Sequence, residues 1–158
     1  MKRALVLGLL ILLGLGGDPA TAAVPRWSWP TAVPHALSRQ YLAPATPYGA
    51  GHRGIDIAST GTEVRAPADG VVHFAGVVVD RPVLSIDHAG GLLSSYEPVS
   101  TTLVEGDAVT RGDVIGTLEP GHCHESLCLH FGVRLNGEYV NPLLLLGGLP
   151  RSILLPTR

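Results

Sequence analysis

The segment at 51–58 contains two side chains that can bind a metal ion. His52 supplies an imidazole and Asp56, four positions later, a carboxylate, and the flanking glycines let the backbone approach a ligand closely. Imidazole and carboxylate donors together suit a zinc ion. Two ligands do not complete a site, and the best third candidate is His130, within the Cys-Leu-His-Phe-Gly sequence at 128–132. We therefore expect His52, Asp56 and His130 to bind one Zn2+.

The local sequence indicates how these side chains are presented. The spacing of His52 and Asp56 would suit one face of a helix, but the glycines around His52 and the β-branched Ile55 and Ile57 favour a loop followed by a strand. In the second segment, alternation along a strand places the cysteine and histidine on one face and the leucine and phenylalanine on the other. Three protein ligands with an open fourth position are typical of catalytic zinc. On spacing alone, the same residues also fit surface histidines and a turn aspartate.

The elements that must position these residues are predicted to be β-strands. Short runs rich in valine and isoleucine are separated by turn signals of Gly, Pro and Asp. Many short strands with short turns predict an all-β fold, a compact antiparallel β-sandwich or barrel. A short C-terminal helix is expected after Asn141-Pro142, with Leu143–Leu146 packing inward and glycines ending it. The predicted strands are Gly54–Ala58, Thr62–Ala66, Gly70–Val79, Val83–Asp87, Leu92–Tyr96, Asp113–Leu118 and Cys128–Leu135.

The N-terminal part of the sequence predicts export. Residues 1–22 have the pattern of a signal peptide, with a basic start, an apolar run from Ala4 to Leu15 and small residues at 20–22. The alternative is an uncleaved membrane anchor, but the run is shorter than the roughly 20 residues that span a bilayer. We expect a secreted, extracytoplasmic protein. Residues 23–48, rich in proline, are expected to form an extended N-terminal arm, pinned to the core by Trp27 and Trp29 rather than using them to bind ligand.

Charge excludes some classes of partner. Removal of residues 1–22 takes away two basic residues and one acidic residue, which leaves nine basic against twelve acidic residues and no basic cluster. We therefore expect no nucleic-acid partner and no membrane association after cleavage of the signal. Lys2 is the single lysine of the sequence, which excludes a lipoyl or biotinyl carrier domain, because such a domain attaches its cofactor to a lysine.

The two cysteines, Cys123 and Cys128, are close in sequence and belong to a chain that is expected to be exported. An oxidising compartment favours a disulfide between them. A competing interpretation makes them zinc ligands or a nucleophile, because the sequence His-Cys-His at 122–124 is also dense in donors. That sequence lacks the paired spacing of structural zinc modules, which favours the disulfide.

Several motifs together resemble the lysostaphin/LytM-type zinc metallopeptidases, secreted enzymes that cut the peptide cross-links of bacterial peptidoglycan. The matching segments run in the same order and extend over about residues 49–146, leaving 147–158 as a C-terminal tail. The resemblance implies an antiparallel β-sandwich that acts on peptidoglycan peptides at the cell wall, with one zinc bound by His52, Asp56 and His130. Separately, we expect a monomer. The matching segments are Gly51–Asp56, Ala66–Val72, Val83–Tyr96, Val104–Gly116 and Leu129–Gly132.

Two departures from the family pattern affect the expected chemistry. Pro98 stands where the family has a histidine two residues after the tyrosine corresponding to Tyr96, and Cys128 stands for the first histidine of a His-x-His pair. In the family, those histidines position the attacking water and stabilise the transition state. We expect His122, held near the metal by a Cys123–Cys128 disulfide, to replace them in proton transfer. The alternative is a catalytically degenerate domain that contains zinc and binds cell wall or activates a partner hydrolase.

Overall fold

The computed structural model describes residues 26–46, 48–123 and 126–147. The signal peptide expected at 1–22, His124 and most of the expected C-terminal tail lie outside the described residues. The described part contains eleven strands and one short helix. They are β1 (Leu37–Arg39), β2 (Gly54–Ala58), β3 (Glu63–Arg65), β4 (Gly70–Val78), β5 (Arg81–His88), β6 (Leu92–Glu97), β7 (Val99–Ser100), β8 (Ala108–Val109), β9 (Val114–Leu118), β10 (Cys128–Leu135), β11 (Glu138–Val140) and α1 (Leu143–Leu146).

The strands form two antiparallel sheets. The larger sheet has the order β1-β2-β10-β6-β5-β4-β8, and β11 pairs with the far end of β10; the smaller sheet has the order β3-β9-β7. Every pairing is antiparallel, as expected from strands joined by short turns. The all-β prediction is confirmed, and so is the short helix, whose end at Gly147 adopts a left-handed conformation with φ 75°.

One apolar core lies between the larger sheet and the smaller sheet. The alternation predicted for β10 is observed, because Leu129, Phe131 and Val133 are completely buried in this core. Tyr96 of β6 lies 5.4 Å from Phe131 between ring centroids and is also inaccessible to solvent. Burial of each such side chain contributes roughly 1.5–3 kcal/mol. The opposite face of β10 is therefore held in a fixed position for the functional residues.

The N-terminal arm contacts both ends of the domain. Trp27 is 4% exposed, donates its backbone N–H to the Leu145 carbonyl oxygen at 3.0 Å and packs 6.3 Å from Phe131 between ring centroids. Further along, β1 pairs with the edge of β2. Strand β1 was not among the predicted strands, because its side chains are half-buried or exposed and it forms only through pairing with that edge. Within the described residues, no helix is long and apolar enough to cross a membrane.

A chain of hydrogen bonds that starts at the surface and ends in the core holds His88 in place. The His88 Nδ1 atom lies 2.8 Å from the Asp69 carbonyl oxygen, which can only accept, so Nδ1 carries a proton. Its Nε2 atom lies 2.8 Å from Ser94 Oγ, which in turn lies 2.8 Å from Tyr96 Oη. Trp27 covers the imidazole at 4.6 Å between centroids. Burial lowers the pKa of His88 more than the Asp69 hydrogen bond and the nearby Asp87 and Asp69 charges raise it.

We predict that His88 makes the stability of the protein sensitive to acid. The pKa of His88 is lower in the folded than in the unfolded chain, so its contribution is complete above the unfolded value of about 6.5 and is lost as pH falls below it. The variant His88→Gln retains a donor and an acceptor but cannot gain a proton. Urea unfolding between pH 7.5 and 5 should show a smaller loss of unfolding free energy in this variant than in the wild type. Equal losses would contradict the prediction.

Candidate metal centre

The pairing of β2 with β10 brings the distant candidate ligands together. In this antiparallel register Asp56 lies directly opposite His130, so their side chains share one face of the sheet. His52 lies just before β2, where its backbone forms a bridge with Leu42 of the arm: the His52 N–H donates to the Leu42 oxygen at 2.8 Å and the Leu42 N–H donates to the His52 oxygen at 3.0 Å. The imidazole of His52 is thereby positioned beside the start of β2.

Three donor atoms converge at this point. The His52 Nε2 atom lies 3.0 Å from Asp56 Oδ1 and 3.1 Å from His130 Nδ1, and the third side of the triangle, from His130 Nδ1 to Asp56 Oδ1, is 2.7 Å. His52 and Asp56 are buried, with 6% and 4% exposure, and His130 is half-buried. The predicted ligand set is thus a compact cluster with one partly accessible side.

A backbone carbonyl determines the tautomer of His52. The Nδ1 atom lies 2.8 Å from the Gln40 carbonyl oxygen, and because that oxygen can only accept, Nδ1 must carry the proton. In a neutral imidazole, Nε2 then presents a lone pair toward Asp56 and His130. This arrangement, with one ring nitrogen donating to a carbonyl and the other free, is the usual outer-shell support of a metal-binding histidine.

The carboxylate is held in its charged form. Burial alone would raise the pKa of Asp56, but the hydrogen bonds with the imidazoles of His122 and His130 lower it well below its usual value. Asp56 is therefore a carboxylate at neutral pH. Its Oδ1 atom lies within 3.1 Å of nitrogen atoms from three imidazoles, those of His52, His122 and His130.

The cluster fits a divalent metal ion. A lone pair on His52 Nε2 and a charged oxygen of Asp56 at 3.0 Å repel each other unless a positive charge lies between them. Four donors that each bind zinc at about 2.0–2.1 Å in a tetrahedron are separated by about 3.3 Å. The observed separations of 2.7–3.1 Å are about 0.2–0.6 Å shorter than that value, so a small outward movement of the side chains would admit the ion. Two imidazoles and one carboxylate can therefore hold zinc and leave one coordination position open.

Gly54 provides the space that the His130 imidazole occupies. A Cβ atom at this position would lie 2.7 Å from His130 Nε2 and 2.5 Å from the Phe131 carbonyl oxygen, closer than real Cβ contacts allow. Gly54 and Gly132 are directly paired across β2 and β10, so this pair places no side chain beside His130. The ring of His130 can thus lie against the sheet with Nδ1 directed at Asp56.

The loop before β10 brings a third imidazole to the cluster. Cys123 and Cys128 form a disulfide that spans five residues and connects this loop to the first residue of β10. His122, next to Cys123, places its Nε2 atom 3.1 Å from Asp56 Oδ1. Its Nδ1 atom is buried and has no hydrogen-bond partner. The structure therefore places the predicted catalytic residue against the carboxylate, on the same face as the three candidate ligands.

The two positions at which the resembled family has histidines surround the same loop. Cys128 holds the disulfide, and Pro98, preceded by a cis peptide bond, lines a cavity of about 160 Å³ together with His122. The imidazole of His122 thus lies beside both altered positions. Arg81 lines the same cavity.

Glu97 is a residue of this site that sequence reasoning did not identify. It ends β6, is paired with His130 of β10, and places its Oε1 atom 3.8 Å from His122 Nδ1 and 3.8 Å from Arg81 Nη1. The alternation of β6, in which Tyr96 is buried, would have predicted that Glu97 faces the other side. Pairing of β6 with β10 could not be read from alternation, so the proximity of Glu97 to the histidines was not evident.

The sequence of this chain matches a known protein family. The family model of Peptidase family M23 matches residues 50–142. The chain belongs to peptidase family M23. The resemblance to the lysostaphin/LytM-type peptidases, based on the motifs from Gly51 onward, is thereby confirmed.

The curated relatives include proteins of several bacteria. An uncharacterized protein of Mycobacterium tuberculosis, Rv2891, is 40% identical over 159 residues, which cover 95% of this chain and 64% of the relative. The DD-carboxypeptidase/endopeptidase Mpg of Neisseria meningitidis is 36% identical over 108 residues, covering 67% of this chain and 23% of Mpg. The murein hydrolase activator NlpD of Salmonella typhimurium is 34% identical over 127 residues, covering 78% of this chain and 32% of NlpD. The chain spans just under two thirds of the length of the mycobacterial relative.

Solved structures share the fold. Csd3 of Helicobacter pylori is 26% identical with a TM-score of 0.61, over 77% of this chain and 34% of Csd3. The solution structure of lysostaphin is 21% identical with a TM-score of 0.63, over 85% of this chain and 60% of that one. These similarities confirm the antiparallel β fold.

We predict that Gly54→Ala disrupts the cluster. The added methyl group would displace the His130 imidazole or the Phe131 backbone, which should weaken zinc binding at least about 10-fold and lower the unfolding free energy by about 1–3 kcal/mol. Competition with a chromophoric zinc chelator and urea unfolding would measure the two effects. Gly61→Ala is the matched control, because a Cβ there contacts nothing within 4 Å. Unchanged zinc affinity in Gly54→Ala would contradict the proposed position of His130.

Proposed function

We propose that this chain is a secreted, zinc-dependent endopeptidase that hydrolyses peptide cross-links of bacterial cell-wall peptidoglycan. The convergence of His52, Asp56 and His130, with donor atoms 2.7–3.1 Å apart, is the observation that carries the proposal. Membership of peptidase family M23 and the similarity to Mpg, named a DD-carboxypeptidase/endopeptidase, support it.

In this proposal each ligand has a structural reason for its orientation. Zinc would polarise the scissile carbonyl and increase the acidity of its bound water. His52 is held in the binding tautomer by the Gln40 carbonyl oxygen, Asp56 supplies the negative charge, and His130 lies in the space left by Gly54. His52 and Asp56 are buried and His130 is half-buried, so a peptide would approach the cluster from the exposed part of His130.

His122 is the residue we propose for proton transfer. Its Nε2 atom lies 3.1 Å from Asp56 Oδ1, so it borders the same space as the ligands, and the disulfide beside it limits movement of the loop. Glu97 lies 3.8 Å from the other ring nitrogen, Nδ1, which has no hydrogen-bond partner. If zinc took the place of the His122 hydrogen bond at Asp56 Oδ1, a small movement would let Nδ1 donate to the Glu97 carboxylate, which would orient the ring and leave Nε2 as the basic atom.

An extracytoplasmic location agrees with this assignment. The predicted signal peptide at 1–22 would direct the chain out of the cytoplasm, to the compartment where its proposed substrate is found. The Cys123–Cys128 disulfide is of the kind that persists in oxidising environments. We propose the cell wall as the site of action.

A second candidate function is supported by the altered positions. Pro98 and Cys128 cannot perform the acid–base work of histidines, and the relative NlpD is named a murein hydrolase activator. A domain that retains zinc but lacks efficient proton transfer would bind wall peptides or activate a partner hydrolase. Retention of the complete ligand triangle and the position of His122 favour the enzyme.

We predict that zinc and the ligand cluster are both required for hydrolysis. The purified protein should contain one zinc per chain and release cross-link peptides from purified cell walls, and a chelator should abolish release until zinc is added. His130→Ala should weaken zinc binding by more than the roughly 10–100-fold that loss of an outer-shell partner costs. Metal content and wall digestion are the measurements, and His73→Ala, at an exposed position of β4, is the control.

Two results would contradict the peptidase proposal. The first is a zinc-loaded protein that fails to release peptides from walls with several types of cross-link. The second is wall binding or activation of a partner hydrolase that persists in His130→Ala, which would favour the degenerate domain.

We predict that His122→Gln separates proton transfer from metal binding. Glutamine retains hydrogen bonding but cannot carry a proton between groups, so kcat should fall by about 10²–10⁴-fold. Because residue 122 is not among the proposed ligands, zinc content should remain one per chain. Steady-state digestion of a soluble cross-linked wall fragment and metal analysis would measure both. Wild-type kcat in His122→Gln would exclude His122 from catalysis.

A further inference from the structure

The face of β10 that carries His130 extends beyond the metal centre to a second group of polar side chains. His130, Gly132 and Arg134 alternate along this strand and therefore share a face. Arg134 is paired with Tyr139 of β11, so the tyrosine lies on the same face. The metal centre and these two residues are thus parts of one continuous surface.

A cavity of about 610 Å³ lies at this end of the surface. A volume of this size lies within the range typical of ligand sites. Residues 43–46 of the arm form one wall, and Tyr41, Arg53, Arg134 and Tyr139 supply the aromatic and basic groups. The Tyr41 hydroxyl donates to the Tyr139 carbonyl oxygen at 2.9 Å, which connects the arm to β11. The cavity therefore has walls from both the arm and the larger sheet.

Two guanidinium groups are gathered around the Tyr139 ring. The Arg134 guanidinium lies 4.5 Å and that of Arg53 5.7 Å from the ring centroid. Arg134 also donates to the Tyr139 hydroxyl, and Arg53 Nη2 donates to the Gly49 oxygen at 3.2 Å, so both groups are oriented. Among the described residues, Arg134 has no carboxylate partner within 4.0 Å, and Glu138, which also lines the cavity, forms no ion pair with it.

The distance from the metal centre suits a peptide. Arg134 lies four positions after His130, which corresponds to about 13 Å along a strand. An extended peptide of four residues has the same length. Between the two positions lie the paired glycines Gly54 and Gly132, which have no side chains, and beside Gly132 lies the small hydroxyl side chain of Ser95. A peptide with one reacting bond at the metal centre can therefore place another group at Arg134.

We propose that Arg134, assisted by Arg53, is a carboxylate-binding subsite that selects acidic wall peptides. The planar guanidinium can donate two parallel hydrogen bonds to one carboxylate, and its position over Tyr139 reduces the freedom lost on binding. The identity of the peptide rests on the function proposed above. The binding itself can be measured without hydrolysis.

The test uses an uncross-linked wall tetrapeptide with free carboxylates and the same peptide with carboxamides. The zinc-loaded protein should bind the free-carboxylate peptide at least about 10-fold more tightly in calorimetric titrations, since hydrogen bonds to charged groups are the stronger class. Arg134→Gln should remove this preference without changing affinity for the carboxamide peptide, and Arg134→Lys should retain part of it. Arg65→Gln is the matched control, because Arg65 lies on β3 of the smaller sheet, paired with Glu63.

The outcomes separate this subsite from the proposed activity. Two results for Arg134→Gln would overturn the subsite even if wall digestion continues. One is an equal loss of binding affinity for both peptides, and the other is no loss of affinity in a variant whose thermal midpoint is unchanged. Inorganic phosphate that binds more tightly than the peptide and depends on Arg134 would overturn the assignment to a carboxylate. A carboxylate preference that depends on Arg134, in a protein that does not digest walls, would support the subsite while the peptidase proposal fails.

Discussion

The register between β2 and β10 is the constraint on which the centre depends. Asp56 and His130 are 74 residues apart in the chain, yet they are directly opposed and their side chains meet at 2.7 Å. A shift of one residue would direct one of them into the apolar core and bring a buried neighbour to the surface. The completely buried Ile55, Ile57, Leu129 and Phe131 prevent that shift, because burying charged or polar groups in their place would be costly.

The loop before β10 brings an imidazole to the candidate site next to a disulfide crosslink. A cysteine occupies the first position of β10, and its disulfide partner lies five residues earlier, next to His122. The crosslink thus fixes the point from which that imidazole reaches Asp56. One of the two positions at which the resembled family has a histidine is the first residue of β10, here Cys128, whereas His122 lies in the crosslinked loop. The disulfide gives this loop a covalent constraint.

Much of the fold and part of the centre could be predicted from the sequence. Alternation in β10 and the glycines around residue 52 identified the strands and the face that carries His130, because side-chain periodicity follows directly from strand geometry. Strands that form only by pairing with an existing edge, such as Leu37–Arg39, carry no such signal. The Gln40 contact is made by a backbone carbonyl, so the identity of that residue does not reveal it. The proximity of Glu97 to the histidines could not be predicted, because the sequence does not show that β6 lies next to β10.

The contact between Gln40 and His52 also bears on where the working unit begins. The family match starts at residue 50, but the carbonyl oxygen that selects the imidazole tautomer and the strand that covers the edge of β2 both precede it. A fragment cut at the family boundary would leave His52 free to exchange tautomers and would expose an unpaired sheet edge to other chains. The smallest piece of this polypeptide that holds the three candidate ligands in this arrangement is therefore longer than the segment at 50–142 that the family model matches.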